Sequence, residues 1–513
     1  MSTRRIKAVF LAVLVLISCV FAGFTIFKER SSCMGIPVIS ADAVNKLSEI
    51  YDLDVNSITL NGERIPYDEI ENTIYVSQPK SALSKYYNLA GKFECNKPDY
   101  SLYFINNKAL NHLNSALKQS FPLTMIIVNG KSFMRVDVIL TTISVMTLFN
   151  EDGYNSASKG NTVSGRVTIF SGFDNEVANY TTKSCNVDWR VRGNTTSVQS
   201  KQPYKLTLKD KNGIDNKDMN LLGLGSDDDW ILNCLTMDDT RMKEKLFMDM
   251  WNAMAAETDY NYKMSTGDYV ELIINNSYRG LYLLQRRLDA KYLGIDEDDA
   301  SVKATDYTAQ TVEEAYEFVT EPENTEEIYS MLGEALYGWG DNRYNLYNVI
   351  DTNITLQITA ARDNYSKKNM YHVLKYTNGE YENFLVPWDT DQSMGVIFDD
   401  GFKYNFNSAV FDHTTSLRME TDNVMVNNPE YYTVALKRWV ELRNGVYSDE
   451  SIAKMIDRIS TPLIESGAFE RDTNLWGDRY GGDDTIENLR ELMKSRARVI
   501  DFQYLGSIEN AEE

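Results

Sequence analysis

The chain has 513 residues, 43% hydrophobic and 25% charged, with 74 acidic side chains against 52 basic ones and a net charge of -22. That is too long for one compact core and gives a prior of about three domains, and the acidic field disfavours nucleic acid and anionic surfaces as partners. Three histidines, no HExxH, no CxxC and no GxxxxGK[ST] loop argue against zinc chemistry, Ser-His-Asp hydrolysis and Walker-type phosphate binding. A metal site must then use oxygen ligands, which points to magnesium, calcium or manganese.

Residues 1–30 read as an export segment. "RRIK" precedes twenty uncharged residues, Ala8 to Phe27, and "KER" follows. That length spans a bilayer, with the basic cluster on the cytoplasmic side, so a membrane anchor is the first reading. A cleaved signal peptide and a lipobox at "LISC" ending in Cys19 are the alternatives, and each exports the chain. Cys33, Cys95, Cys185 and Cys234 remain, an even number that suits disulfides outside the cell or four buried thiols equally well.

Residues 34–150 alternate short strands and helices, an α+β accessory domain. "SITLNGERIPY" and "MIIVNGKSFMRV" each set Asn-Gly between β-rich runs, a hairpin signal. Residues 160–505 form a second domain. It opens strand-rich with "RVTIF", "VDWRVRG", "YKLTL" and a hairpin turning at Asn275-Asn276-Ser277. Met242, Leu246, Met250 and Met254 recur at helical spacing between these strands. The acidic run Glu313 to Glu327 reads as a solvated helix face, and the chain beyond it as mostly helical apart from a Tyr/Val-rich hairpin just before "VPWDTDQSMG". Ser448 is a candidate N-cap for "DESIAKMIDRI". A sheet-rich half followed by a helical half suggests two lobes around a cleft.

Three stretches carry candidate chemistry. In "FLVPWDTDQSMG", Asp389 and Asp391 follow an apolar run; Asp389 suits a metal ligand, with Asp391 as second ligand or support. In "ARDNYSKKNMYHV", Asp363 and Asn369 lie six apart around Lys367 and Lys368. An acid, an amide and a downstream acid make the layout of phosphoryl transfer, with a base for the attacking hydroxyl and hard oxygens for Mg²⁺. In "WRVRGNTTSVQSKQPYKLTL", Arg192, Lys201 and Lys205 are cations able to hold phosphate oxygens. Read singly, each stretch is equally an ordinary polar loop or a solvated strand edge. Asp227, Asp228 and Asp229 read as a solvated turn rather than a calcium site.

Taken in order, "WRVRGNTT…SKQPYKLTL", "LLGLGSDDDWILN", "TRMKEKLFMDMWNAMA", "YVELIINNSYRGLYLL", "ARDNYSKKNMYHVL" and "VPWDTDQSMG" resemble the blocks of the CotH family over residues 165–505. The resemblance implies a bilobal atypical protein-kinase-like fold, with a sheet-rich N-lobe and a helical C-lobe, in bacterial spore-coat or surface proteins. It implies transfer of the ATP γ-phosphoryl group, with Mg²⁺, to Ser or Thr of a protein partner. Asp363 then matches the catalytic-loop acid, Asn369 the metal-supporting amide and Asp389 the metal acid. Lys201 or Lys205 matches the phosphate-binding lysine and Glu244 the helix glutamate that orients it. The chain departs from the family where "YLLQRR" sets Arg286 in place of an acid and where Lys201-Gln202 replaces a pair of lysines. An inactive kinase-like module for coat assembly is therefore the alternative. A carbohydrate-active enzyme using two of Asp363, Asp389 and Asp391 ranks last, because it has no use for Asn369.

Overall fold

The computed structural model describes residues 32–118, 122–174, 178–193, 196–305, 309, 311–320, 325–337, 343–364, 368–398, 401–410 and 428–509; the apolar segment 8–27, Cys19 and Lys367 lie outside them. The fold is α+β. Its first sheet is built on the hairpin Leu123–Asn129 and Ser132–Thr141, where the Asn129-Gly130 signal closes a turn through Gly130-Lys131 with Gly130 left-handed. Strand Tyr100–Asn106 adds antiparallel on one side and Thr73–Ser77 adds parallel on the other. The second Asn-Gly signal also closes a hairpin, between Ile58–Leu60 and Glu63–Arg64, with Asn61 and Gly62 both left-handed at φ 54° and 80°.

This sheet ends at Thr141. The next strand, Ser144–Phe149, pairs antiparallel with Val163–Asp174 and parallel with Gly267–Ile274, so it completes a seven-stranded closed barrel instead. The other barrel strands are Ala178–Val191, Tyr204–Lys209, Asp229–Asn233 and Ser277–Arg286. Closure leaves no sheet edge, and alternate residues fill the interior. Trp189, Val191, Tyr204, Leu206, Leu208, Trp230 and Leu232 are buried there. By the same alternation Arg190, Arg192 and Lys205 stand on the outer surface. The predicted turn at Asn275-Asn276 joins the last two barrel strands, both residues left-handed.

The first sheet docks on the barrel through packed aromatic and backbone contacts. Tyr75 stacks on Tyr278 with ring centres 4.4 Å apart. A Cβ at Gly172 would lie 2.3 Å from the backbone nitrogen of Pro79, so only glycine permits this approach.

Met242, Leu246, Met250 and Met254 form the buried face of helix Lys243–Ala255, as their spacing predicts. The acidic run departs from expectation. Val312–Ala315 is a single helical turn, Tyr316–Thr320 is a strand paired with Ala300–Thr305, and a helix resumes at Thr325. The β-favouring Tyr316, Phe318 and Val319 outweigh the acids around them. Ala300–Thr305 pairs in turn with Lys368–Thr377, and that strand with Glu380–Pro387, giving a four-stranded sheet inside the half expected to be mostly helical.

Helix Leu346–Thr359 lies under this sheet. Its buried Asn348 exchanges two hydrogen bonds with the backbone of Leu385, and its Asp351 accepts from Arg438 Nε at 2.7 Å. These bonds satisfy polar groups that burial would otherwise penalise, and they fix the helix end against the strand that leads to Asp389. Helices Tyr431–Asn444, Asp449–Glu465, Ala468–Trp476 and Ile486–Glu509 complete this half. Ser448 caps the second of them by accepting from the Ser451 amide. Cys33, Cys95, Cys185 and Cys234 are all free thiols. No helix among the described residues is long and apolar enough to cross a membrane.

Candidate functional site

Two loops meet at the end of helix Leu346–Thr359. The helix stops at Ala360, which is left-handed, and Asp363 follows three residues later. The second loop follows strand Glu380–Pro387 and carries Trp388, Asp389, Thr390 and Asp391. Asn369 and Asp389 are both at φ 57°, so the chain reverses at each acid-amide position and the two aspartates do not lie along a strand. Asn364 Nδ2 donates to the carbonyls of Asn369 at 2.9 Å and Trp388 at 2.7 Å, which holds the loops together.

Asp363, Asp389 and Asp391 are half-buried beside the fully buried Glu244. Asn369 Nδ2 donates to Asp363 at 2.7 Å, which turns the amide oxygen of Asn369 away from that acid. Glu244 accepts from the Thr390 amide at 3.0 Å and from its hydroxyl at 2.9 Å. Its carboxyl is pushed up to about 7, by burial first and then by Asp389. Burial, then Asp389, Glu244 and Asp363, push Asp391 well above the usual range. Burial also raises Asp363, against the opposing pull of Lys368 and Asn369. Burial and Asp389 thus raise the other three of these neighbouring carboxylates, and hard oxygen donors in that state suit a divalent cation such as Mg²⁺.

Beside this group opens a cleft of about 380 Å³ between the barrel and the four-stranded sheet. Lys159, Arg190, Arg192, Lys205, Arg287 and Lys303 line it, against a single carboxylate, Glu317. Arg192 and Lys303 stand over the Trp388 ring at 5.4 and 5.3 Å from its centre. Neither has a carboxylate within ion-pair distance among the described residues, whereas Lys205 and Arg287 share Asp229 at 2.8 and 3.0 Å. Burial, then Arg192, lowers the Lys303 ammonium. In a chain of net charge -22 this is a local reversal of sign, suited to a polyphosphate.

The family model described as CotH kinase protein matches residues 189–500. The chain belongs to the CotH family. No curated protein matches the sequence. The CotH match contains every residue of the two loops and all but Lys159 of the cationic side chains in the cleft.

Against the sequence expectations, Asp363, Asn369, Asp389, Asp391, Arg192 and Lys205 come together around this cleft. Lys201 does not. It precedes the strand instead of lying on it, and its ammonium is buried on Asp472 at 2.6 Å. Glu244 pairs with no lysine among the described residues; its partner is Thr390. Arg286, the departure from the CotH pattern, points away from the cleft onto the buried Asp227 and over the Tyr292 ring. Asp218, Asp227 and Asp228 approach one another closely, but Asp218 pairs with Lys291 and Asp227 with Arg286, so their charge is already met. Lys159, Arg190, Arg287 and Lys303 are the cleft cations that sequence reasoning missed. For Arg190 the alternation with Trp189 and Val191 was a usable signal; for Lys303 there was none.

Proposed function

We propose that the chain transfers the γ-phosphoryl group of ATP to a serine or threonine hydroxyl of an exported surface or coat protein. The observation that carries this reading is the adjacency of a carboxylate-amide cluster with acids in excess to a cleft with cations in excess. Each half lacks the charge that a metal-bound polyphosphate brings. Barrel and helical half then act as the two lobes of a kinase-like fold.

Asn369 and Asp389 would hold Mg²⁺, supported by Asp391, and the ion supplies neutralisation of charge on the phosphates. Arg192, Lys205 and Lys303 hold the phosphate oxygens electrostatically; Lys201 has no part in this. Asp363 orients the acceptor hydroxyl and takes its proton. Arg286 lies outside the cleft, paired with Asp227, which supports an active enzyme over an inactive module. Residues 8–27 would hold the chain at a membrane, with this domain on the exported side.

The test is a titration of the chain with ATP, with and without Mg²⁺, alongside labelled phosphate transfer from ATP to the chain itself and to casein. Asp389→Asn is expected to keep the wild-type melting temperature and to lose transfer by a hundredfold or more. An Asp389→Asn variant with undiminished transfer would sink the assignment.

A further inference from the structure

We infer that Gln392 is a positioning residue for phosphoryl transfer, one that selects which oxygen of Asp363 receives the acceptor's proton. The inference rests on the kinase reading above. Three donors converge on a single oxygen of Asp363, Oδ2: Asn369 Nδ2 at 2.7 Å, Gln392 Nε2 at 2.9 Å and Lys368 Nζ at 3.2 Å. Oδ1 accepts from none of the described residues. A carboxylate oxygen offers about two lone-pair directions, so Oδ2 is fully engaged and Oδ1 is the more basic atom.

The three donors come from different places. Lys368 and Asn369 begin the strand Lys368–Thr377, whereas Gln392 belongs to the loop that carries Asp389. The backbone of Gln392 is itself held, its carbonyl accepting from the Arg362 amide at 3.3 Å. Gln392 therefore ties the rotamer of Asp363 to the loop of Asp389. Without it Oδ2 keeps only Asn369 and Lys368, both from the one strand, and the tie that holds the carboxylate in register with the loop of Asp389 is lost. In the transfer step the acceptor oxygen forms its bond to the γ-phosphorus while the bond from that phosphorus to the β,γ-bridging oxygen breaks. The hydroxyl proton passes to Oδ1 of Asp363, and ADP leaves.

Gln392 is uncharged and half-buried, so Gln392→Met removes the donor at nearly constant volume and charge. The experiment compares wild type, Gln392→Met, Gln392→Glu and Asp389→Asn in the full chain, reading self-phosphorylation and casein phosphorylation at varied ATP. Gln392→Met is expected to lower kcat ten- to a hundredfold with KM for ATP and the melting temperature unchanged. Gln392→Glu, which sets a carboxylate against Asp363, should lose more. If Gln392→Met keeps kcat within twofold while Asp389→Asn is inactive, the inference falls and the kinase reading stands. A parallel rise in KM, or a lowered melting temperature, would assign Gln392 to nucleotide binding or to folding and equally overturn it. A wild-type chain that transfers no phosphate overturns both.

Discussion

Lys201 Nζ lies 2.6 Å from Asp472 Oδ1, and the two side chains are 2% and 1% exposed. Arg241 Nε reaches the other oxygen of the same carboxylate at 2.9 Å, and the Leu281 amide donates to Oδ1 at 2.8 Å. Burial alone would raise the Asp472 carboxyl, but Lys201 and Arg241 hold it below the usual range. One acid thus balances two buried cations and pins helix Ala468–Trp476 to the barrel. Asp472→Ala leaves Lys201 uncompensated and Arg241 with only the more distant Asp239 and Asp478, at 3.6 and 3.8 Å, and should cost about 3–5 kcal/mol in urea unfolding. Lys201→Met leaves Asp472 paired with Arg241 and should cost less. In the folded fraction of Lys201→Met, nucleotide affinity should equal that of wild type, which a phosphate-binding role for this lysine would not allow.

Arg286 makes a parallel case. Its guanidinium donates through Nε and Nη2 to the buried Asp227, at the position where the CotH pattern has an acid. Restoring the acid with Arg286→Glu therefore places two carboxylates together in a buried site. The expected result is a loss of about 3 kcal/mol or more in thermal or urea unfolding, with no gain in ATP affinity. Higher affinity in that variant would show that Arg286 does reach the nucleotide.

What was legible in the sequence was local. Asn-Gly and Asn-Asn fix hairpins through left-handed backbone within two residues, and Met242, Leu246, Met250 and Met254 mark one helix face by spacing alone. The acid-amide-acid order was legible because one short loop carries Asp363 and Asn369. The choice between Lys201 and Lys205 was open because only the barrel shows that Tyr204, Leu206 and Leu208 turn Lys205 outward, and only tertiary packing brings Asp472, 271 residues away, to Lys201. Lys303 was invisible for the same reason. Its strand runs through a stretch with no motif, and pairing with Lys368–Thr377 brings it to Trp388. The strand Ser144–Phe149 closes the barrel by pairing with Gly267–Ile274, more than a hundred residues away, which no local pattern records.

Lowered pH should weaken the four-stranded sheet through His372. The ring is fully buried against the edge of Tyr316, with Nδ1 3.3 Å from Asn383 Oδ1, and burial pushes its pKa from the ordinary 6.5 down to about 4. A group depressed in the fold contributes stability above its unfolded pKa and loses it as pH falls toward the folded value. The effect is thus absent above pH 6.5 and grows between 6.5 and 4, reaching about 3 kcal/mol for a shift of that size. Urea midpoints measured across this window should fall in wild type. In His372→Asn, the dependence on pH between 6.5 and 4 should be flatter.

Lys303 gives the complementary case, in which charge governs binding. Its ammonium is pushed down by burial first and by Arg192 next, against the weaker pull of Asp389 and Glu317. A bound polyphosphate favours the charged form and so raises this pKa again. Affinity for ATP should accordingly be greatest below the free-state pKa of Lys303 and decline as pH rises through it, since binding above that point must draw a proton from solvent. Calorimetry at rising pH, up to the ordinary lysine value of 10.5, should show the decline together with proton uptake at the upper end, and Lys303→Arg, whose guanidinium stays charged throughout, should abolish both. Lys303→Met should weaken binding about tenfold at neutral pH, close to 1.4 kcal/mol. Arg192→Met should do the same, and the double variant should lose less than the sum, because each single substitution relieves the repulsion that the other cation feels in the empty cleft.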